Sequence, residues 1–88
     1  GNQGVIRSAE LPVKGLSEAE IETRISHLLK AQNNPTIALL ARPGYILVRV
    51  TGKGCSADDA YHLMEPVIKQ IGELLPVSSY HKRMQGKI

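Results

Sequence analysis

The residues able to carry chemistry in this 88-residue chain are few and scattered. Gly52-Lys53-Gly54-Cys55-Ser56 joins a permissive backbone, a cation, a thiol and a hydroxyl just ahead of a helix start. Backbone N–H groups and a lysine in that setting can cradle a phosphate. The full Walker spacing is absent, so Gly52, Lys53 and Gly54 are anion-binding candidates on local chemistry alone, beside the plainer role of a strand-to-helix turn. Cys55 would suit a nucleophile at that helix start, yet no histidine or acid is placed by sequence to activate it, which favours a structural role. His27 and His62 fall on the solvent sides of helices and His81 lies near the carboxy end, without the spacing of metal ligands. Glu18, Glu20, Glu22, Asp58 and Asp59 sit mostly in first helical turns, where acids complement the helix dipole. The one Gly-x-x-Gly spacing, the loop type that clamps an RNA backbone, is Gly1 to Gly4 at the extreme amino end. No Trp or Phe is present, so base stacking would fall to Tyr45, Tyr61 and Tyr80. These residues assign no catalytic site, metal site or cofactor.

Charge and composition narrow the classes further. The net charge is +3, but residues 1–80 hold eight basic and eight acidic side chains, so the excess comes from Lys82, Arg83 and Lys87. A neutral body with a basic tail disfavours a phosphate-tracking nucleic-acid surface. Apolar runs fall far short of the roughly 20 residues of a membrane span, and no signal pattern opens the chain. The expectation is a cytoplasmic protein with no membrane partner. A single cysteine excludes a disulfide-stapled scaffold.

The elements that must position these residues follow from periodicity. Val5 to Val13 alternates as a strand, with Pro12 marking an edge. Leu16-Ser17-Glu18-Ala19-Glu20-Ile21 predicts a helix start, with Ser17 as N-cap, Glu20 closing a capping box and Leu16 and Ile21 forming a hydrophobic staple. Ile21, Ile25, Leu28 and Leu29 continue one apolar stripe, and Asn33-Asn34-Pro35 ends the helix near Gln32. Thr36 to Ala41 and Tyr45 to Thr51 flank Pro43-Gly44 as a β-hairpin. Pairing Arg42 with Tyr45 would place Ile37, Leu39, Ala41, Ile46, Val48 and Val50 on one wholly apolar face. After a flexible connection, Ser56 caps a second helix whose buried face is Ala60, Leu63, Met64, Val67, Ile68, Ile71, Leu74 and Leu75, with Pro66 on the polar side and Pro76 as the stop.

The predicted architecture is α+β, in the order β-α-β-β-α: a three-stranded antiparallel sheet with two helices packed on one face and the third strand central. Residues 1–4 are expected to be an expression scar or linker, 5–76 the folded domain, and 77–88 a flexible basic tail.

The string Asn34-Pro35-Thr36-Ile37-Ala38-Leu39-Leu40-Ala41-Arg42-Pro43-Gly44, with Leu47-Val48-Arg49-Val50-Thr51, Ser56-Ala57-Asp58-Asp59-Ala60 and Glu65-Pro66-Val67, resembles the middle domain of the CinA family of competence- and damage-inducible proteins. The likeness covers roughly Val5 to Leu75. It departs at Gly52 and Gly54, where the family usually has alanine, and at Ser78 to Arg83. The resemblance implies a KH-like domain lying between a molybdopterin-binding-like domain and, often, a nicotinamide-nucleotide amidase domain. It implies that the parent is a nicotinamide-nucleotide amidase or a nucleotide pyrophosphatase, and that this fragment is a noncatalytic interdomain or dimerisation scaffold. A nucleic-acid-binding KH module is the alternative.

The hairpin's second face would then be the working surface. Leu40, Arg42, Tyr45, Leu47 and Arg49 form a partly apolar, basic patch on a sheet face that no helix covers, and the partners expected there are flanking domains of the parent chain or a second subunit.

Overall fold

The computed structural model describes residues 4–78 and the backbone of 81–83. The order is β1 (Val5–Val13), α1 (Glu18–Arg24), α2 (Ser26–Ala31), β2 (Thr36–Arg42), β3 (Tyr45–Gly54), α3 (Ala57–Leu74) and β4 (His81–Arg83). The strands form one antiparallel sheet in the order β2-β3-β1-β4. The α+β architecture and the central third strand are therefore as the sequence predicts, and β4 extends the three-stranded sheet at one edge. Within the expected tail, Val77 bridges to Val13 and β4 pairs with Ser8–Glu10. The side chains of His81, Lys82 and Arg83, together with Tyr80, Lys87 and residues 1–3, lie outside what is described.

The hairpin register is Arg42 opposite Tyr45, and Ile37 faces Val50 while Leu39 faces Val48. Gly44 has φ +83°, the positive value that Pro-Gly turns require at their second central residue and that glycine adopts without a Cβ clash. The predicted apolar face packs inward except at Ala41, which is exposed at the turn end of the hairpin. Ile37, Val48 and Val50 join Ala9, Leu11 and Val13 of β1 against Ile21, Ile25, Met64, Ile68, Ile71 and Leu75 of the helices.

Pro12 sits inside β1 at little cost because its carbonyl turns away from β3 and accepts from the Ser78 N–H at 3.3 Å. Its missing N–H thus faces the same outer side, where a ladder bond to β3 is not lost.

The first helical segment differs from expectation, since one helix becomes two. Ile25 (φ −112°, ψ 23°) interrupts it, is completely buried, and donates its N–H to the Ile21 carbonyl. The apolar spacing at 21, 25, 28 and 29 continues across the break, so periodicity alone does not reveal it. The capping box is present, with the Glu20 N–H donating to Ser17 Oγ at 3.1 Å and the Ser17 N–H donating to Glu20 Oε1 at 2.8 Å. On α3 the buried stripe is narrower than predicted. Leu63 and Leu74, at its margins, are exposed, and Pro66 faces solvent.

Candidate functional site

Strand alternation settles which of the candidate residues can act together. On the helix-free face, the register aligns Leu40 with Leu47 and Leu47 with Pro12 in one row across the sheet, and Arg49 with Glu10 in the next. Leu47 is only 8% exposed although no helix covers it, because it lies between neighbours on both adjacent strands. Arg49 donates through Nε (3.2 Å) and Nη2 (3.0 Å) to the same Glu10 oxygen, which fixes the guanidinium across β3 and β1.

Beside this row lies an open groove of about 480 Å³ lined by Glu10, Pro12, Lys14, Arg42, Tyr45, Leu47 and Arg49. Four of the five residues expected at the interface line it, and Leu40 stands next to it, half-buried, beside Leu47. Its floor is apolar, through Pro12 and Leu47, and its rim carries the exposed cations Lys14 and Arg42. Such a surface suits a partner that offers an apolar side chain flanked by carboxylates.

Glu10, Pro12 and Lys14 were not legible as members of this site. Glu10 and Pro12 come from β1 and Lys14 from just past its end, about 28 to 39 residues before the groove residues of the hairpin, and the β1–β3 register brings them there. Their shared parity on the first strand was the available signal.

The Gly52-Lys53-Gly54 candidates separate instead of converging. β3 runs through Gly54 and pairs with Val5–Arg7, so the expected flexible connection is regular strand. Alternation puts Gly52 and Gly54 beneath α3 and Lys53 on the opposite face, against Gly4. A Cβ on Gly52 would stand 2.6 Å from Met64 Cγ and 2.9 Å from the Ala60 carbonyl oxygen; one on Gly54 would stand 2.7 Å from the Ala60 N. The glycines therefore let strand and helix approach closely.

The N–H groups an anion would need are also engaged. Lys53 N–H donates to Asn34 Oδ1 (3.0 Å) while Asn34 Nδ2 donates to the Lys53 carbonyl (2.8 Å), and Cys55 N–H donates to Asp59 Oδ2 (2.8 Å). The Asp59 carboxylate thus occupies the position a phosphate would take. Cys55 is exposed and free. Among the described residues, no group of three or more His, Cys, Asp or Glu side chains is placed to hold a metal ion, and no helix is long and apolar enough to cross a membrane.

The family described as the damage-inducible protein CinA KH domain matches residues 8–80. A Clostridium tetani protein described as competence-damage inducible is 34% identical over 79 residues, covering 90% of this chain and 19% of its own length. CinA-like proteins of Dictyoglomus turgidum and Dictyoglomus thermophilum are 36% and 35% identical over 74 residues, covering 84% of this chain and 18% of their own length. The chain thus spans less than a fifth of the length of the curated relatives it matches. With the α+β fold, the hairpin register and a family match over most of its residues, the chain belongs to the CinA family, as its KH domain.

Proposed function

We propose that this chain is a noncatalytic KH-like domain that positions or dimerises the domains flanking it in a CinA-type parent, with the groove on the helix-free sheet face as the contact surface. The carrying observation is that groove, with its apolar floor at Pro12 and Leu47 and exposed Lys14 and Arg42 at its rim. The flanking domains in this reading are molybdopterin-binding-like and, where present, nicotinamide-nucleotide amidase domains, and any turnover belongs to them.

The junction between α1 and α2 weighs against the nucleic-acid alternative. An RNA-gripping KH domain presents a Gly-x-x-Gly loop between helical elements. Here Ile25 alone joins the helices, and its side chain is fully buried.

The test is a charge reversal and truncation in the full-length parent, Lys14→Glu with Tyr45→Ala. Distances between spin labels on this domain and its neighbours should lengthen or broaden. Unchanged distances would remove the groove as the contact surface. Specific turnover by the isolated chain, persisting through purification, would remove the noncatalytic assignment.

A further inference from the structure

The helix-free sheet face carries a second apolar feature, at the pole away from the groove. Ile6 of β1 is 45% exposed, more than any other large apolar side chain among the described residues. It stands directly opposite Lys53 of β3, and beside the pair lies an open hollow of about 350 Å³ whose walls include Asn34, Thr36 and Thr51. The Asn34 amide bonds the Lys53 N–H (3.0 Å) and carbonyl (2.8 Å), which fixes one wall. The Lys53 ammonium and the hydroxyls of Thr36 and Thr51 have no hydrogen-bond or ion-pair partner among the described residues.

One exposed isoleucine is ordinary on a protein surface. What sets Ile6 apart is where the backbone leads. β1 starts at Val5, next to Ile6, and the backbone at Gly4 lies against the Lys53 side chain, where an added Cβ would meet Cε. β4 pairs antiparallel with β1, from His81 opposite Glu10 to Arg83 opposite Ser8, so it also travels toward this pole and ends about 10 Å short of Val5. Polypeptide leading into β1 and polypeptide leading out of β4 are both directed to the pole that carries Ile6. The groove lies toward the other pole, about 20 Å from Ile6 to Pro12 along β1.

We infer that the Ile6 pole is an interdomain contact surface, where Ile6 and the hollow receive an apolar side chain of the domain that precedes β1 in the parent, and acceptor groups of that domain meet Lys53, Thr36 and Thr51. More than four-fifths of the length of the matched relatives lies outside the region this chain covers. A domain joined at Val5 meets this surface at high effective concentration, so even a small contact is well populated. The hollow lies on the β3–β2 side of β1, whereas β4 lies on the other side, so the preceding polypeptide is the one led past it. Isoleucine among threonine, lysine and asparagine is also the mixed character of contacts between domains of one chain, which are more polar than obligate interfaces.

The inference rests on the reading that a folded domain precedes this one, but it uses no residue of the groove. The experiment is made in the full-length parent carrying Cys55→Ser, with one spin label at Glu73→Cys on α3 and another on the preceding domain. With Ile6 intact, the distance distribution should be narrow. Covering an isoleucine that is 45% exposed favours the docked form roughly 3- to 10-fold, so Ile6→Glu should raise the undocked fraction by at least about that factor. Thr36→Lys sets a second cation at the hollow and should act in the same direction. A label pair within this domain, Glu22→Cys with Glu73→Cys, should keep its distance in both variants, because Ile6 and Thr36 are exposed positions. A broad distribution with Ile6 intact, or a narrow one that neither substitution moves, overturns the inference, as does a parent in which no folded domain precedes Val5. Lys14→Glu with Tyr45→Ala leaves the hollow in place and Ile6→Glu leaves the groove in place, so failure of this contact and failure of the groove contact are separable results.

Discussion

Gly52→Ala tests the account of the β3–α3 approach most directly, since it installs the residue that the family resemblance places there. The new Cβ would lie 2.6 Å from Met64 Cγ, 3.0 Å from Met64 Sδ and 2.9 Å from the Ala60 carbonyl oxygen. The methionine can swing aside, but the carbonyl belongs to the first turns of α3 and moves only with the helix. Overpacking of this kind costs about 1–3 kcal/mol. Restricting the unfolded chain returns about 0.4–1 kcal/mol. The net loss then lies between about 0 and 2.6 kcal/mol, centred near about 1.3 kcal/mol, which in a domain of this size lowers the melting midpoint by roughly 5–10 °C. Thermal unfolding followed by circular dichroism reads this out. In a double-mutant cycle, Met64→Ala should shrink the cost of Gly52→Ala by at least about 0.5 kcal/mol, because two of the three close contacts vanish. A midpoint at or above that of the unsubstituted chain, with no coupling to Met64, would refute the packing argument.

Two further outcomes follow from the local bonding. Asn34→Ala removes both bonds to the Lys53 backbone and should cost about 1–3 kcal/mol, with faster amide exchange at Lys53; unchanged exchange there contradicts the bridge. The Ser17 backbone and side-chain hydrogen bonds hold the Glu20 carboxyl below its ordinary value of 4.5. A carboxyl depressed on folding stabilises above its unfolded value and loses that contribution as pH falls through the folded one. Glu20→Gln should therefore flatten the acid limb of stability below about pH 4.5 and leave its shape near neutrality unchanged, as urea midpoints across that range would show.

The hairpin was legible because its residues serve three requirements at once. Alternation sorted Ile37, Leu39, Val48 and Val50 from Leu40, Leu47 and Arg49, and Pro43-Gly44 fixed the turn. The capping box of α1 was legible for a similar reason, since it needs only Ser17 and Glu20 at short spacing. The break at Ile25 was hidden because an apolar residue on the core-facing stripe suits a continuous helix and a buried kink equally. Gly52 and Gly54 were read as permissive when their use is proximity, a property that depends on Ala60 and Met64 one element later. The groove was half visible. Its hairpin wall could be sorted by parity, but its other wall, from Glu10 to Lys14, depends on long-range strand register.

The buried junction at Ile25 also limits what this domain can become. Opening a four-residue glycine loop there, the minimal step toward a nucleic-acid clamp, would pull a completely buried isoleucine out of the core. Losing such a side chain costs about 2–5 kcal/mol, against a total stability of about 5–15 kcal/mol for a domain. Mutational routes that begin by inserting a loop at this point pass through destabilised intermediates. Routes that alter the groove on the far side of the sheet leave Ile25 in place, so variation among descendants of this sequence has more room on that face.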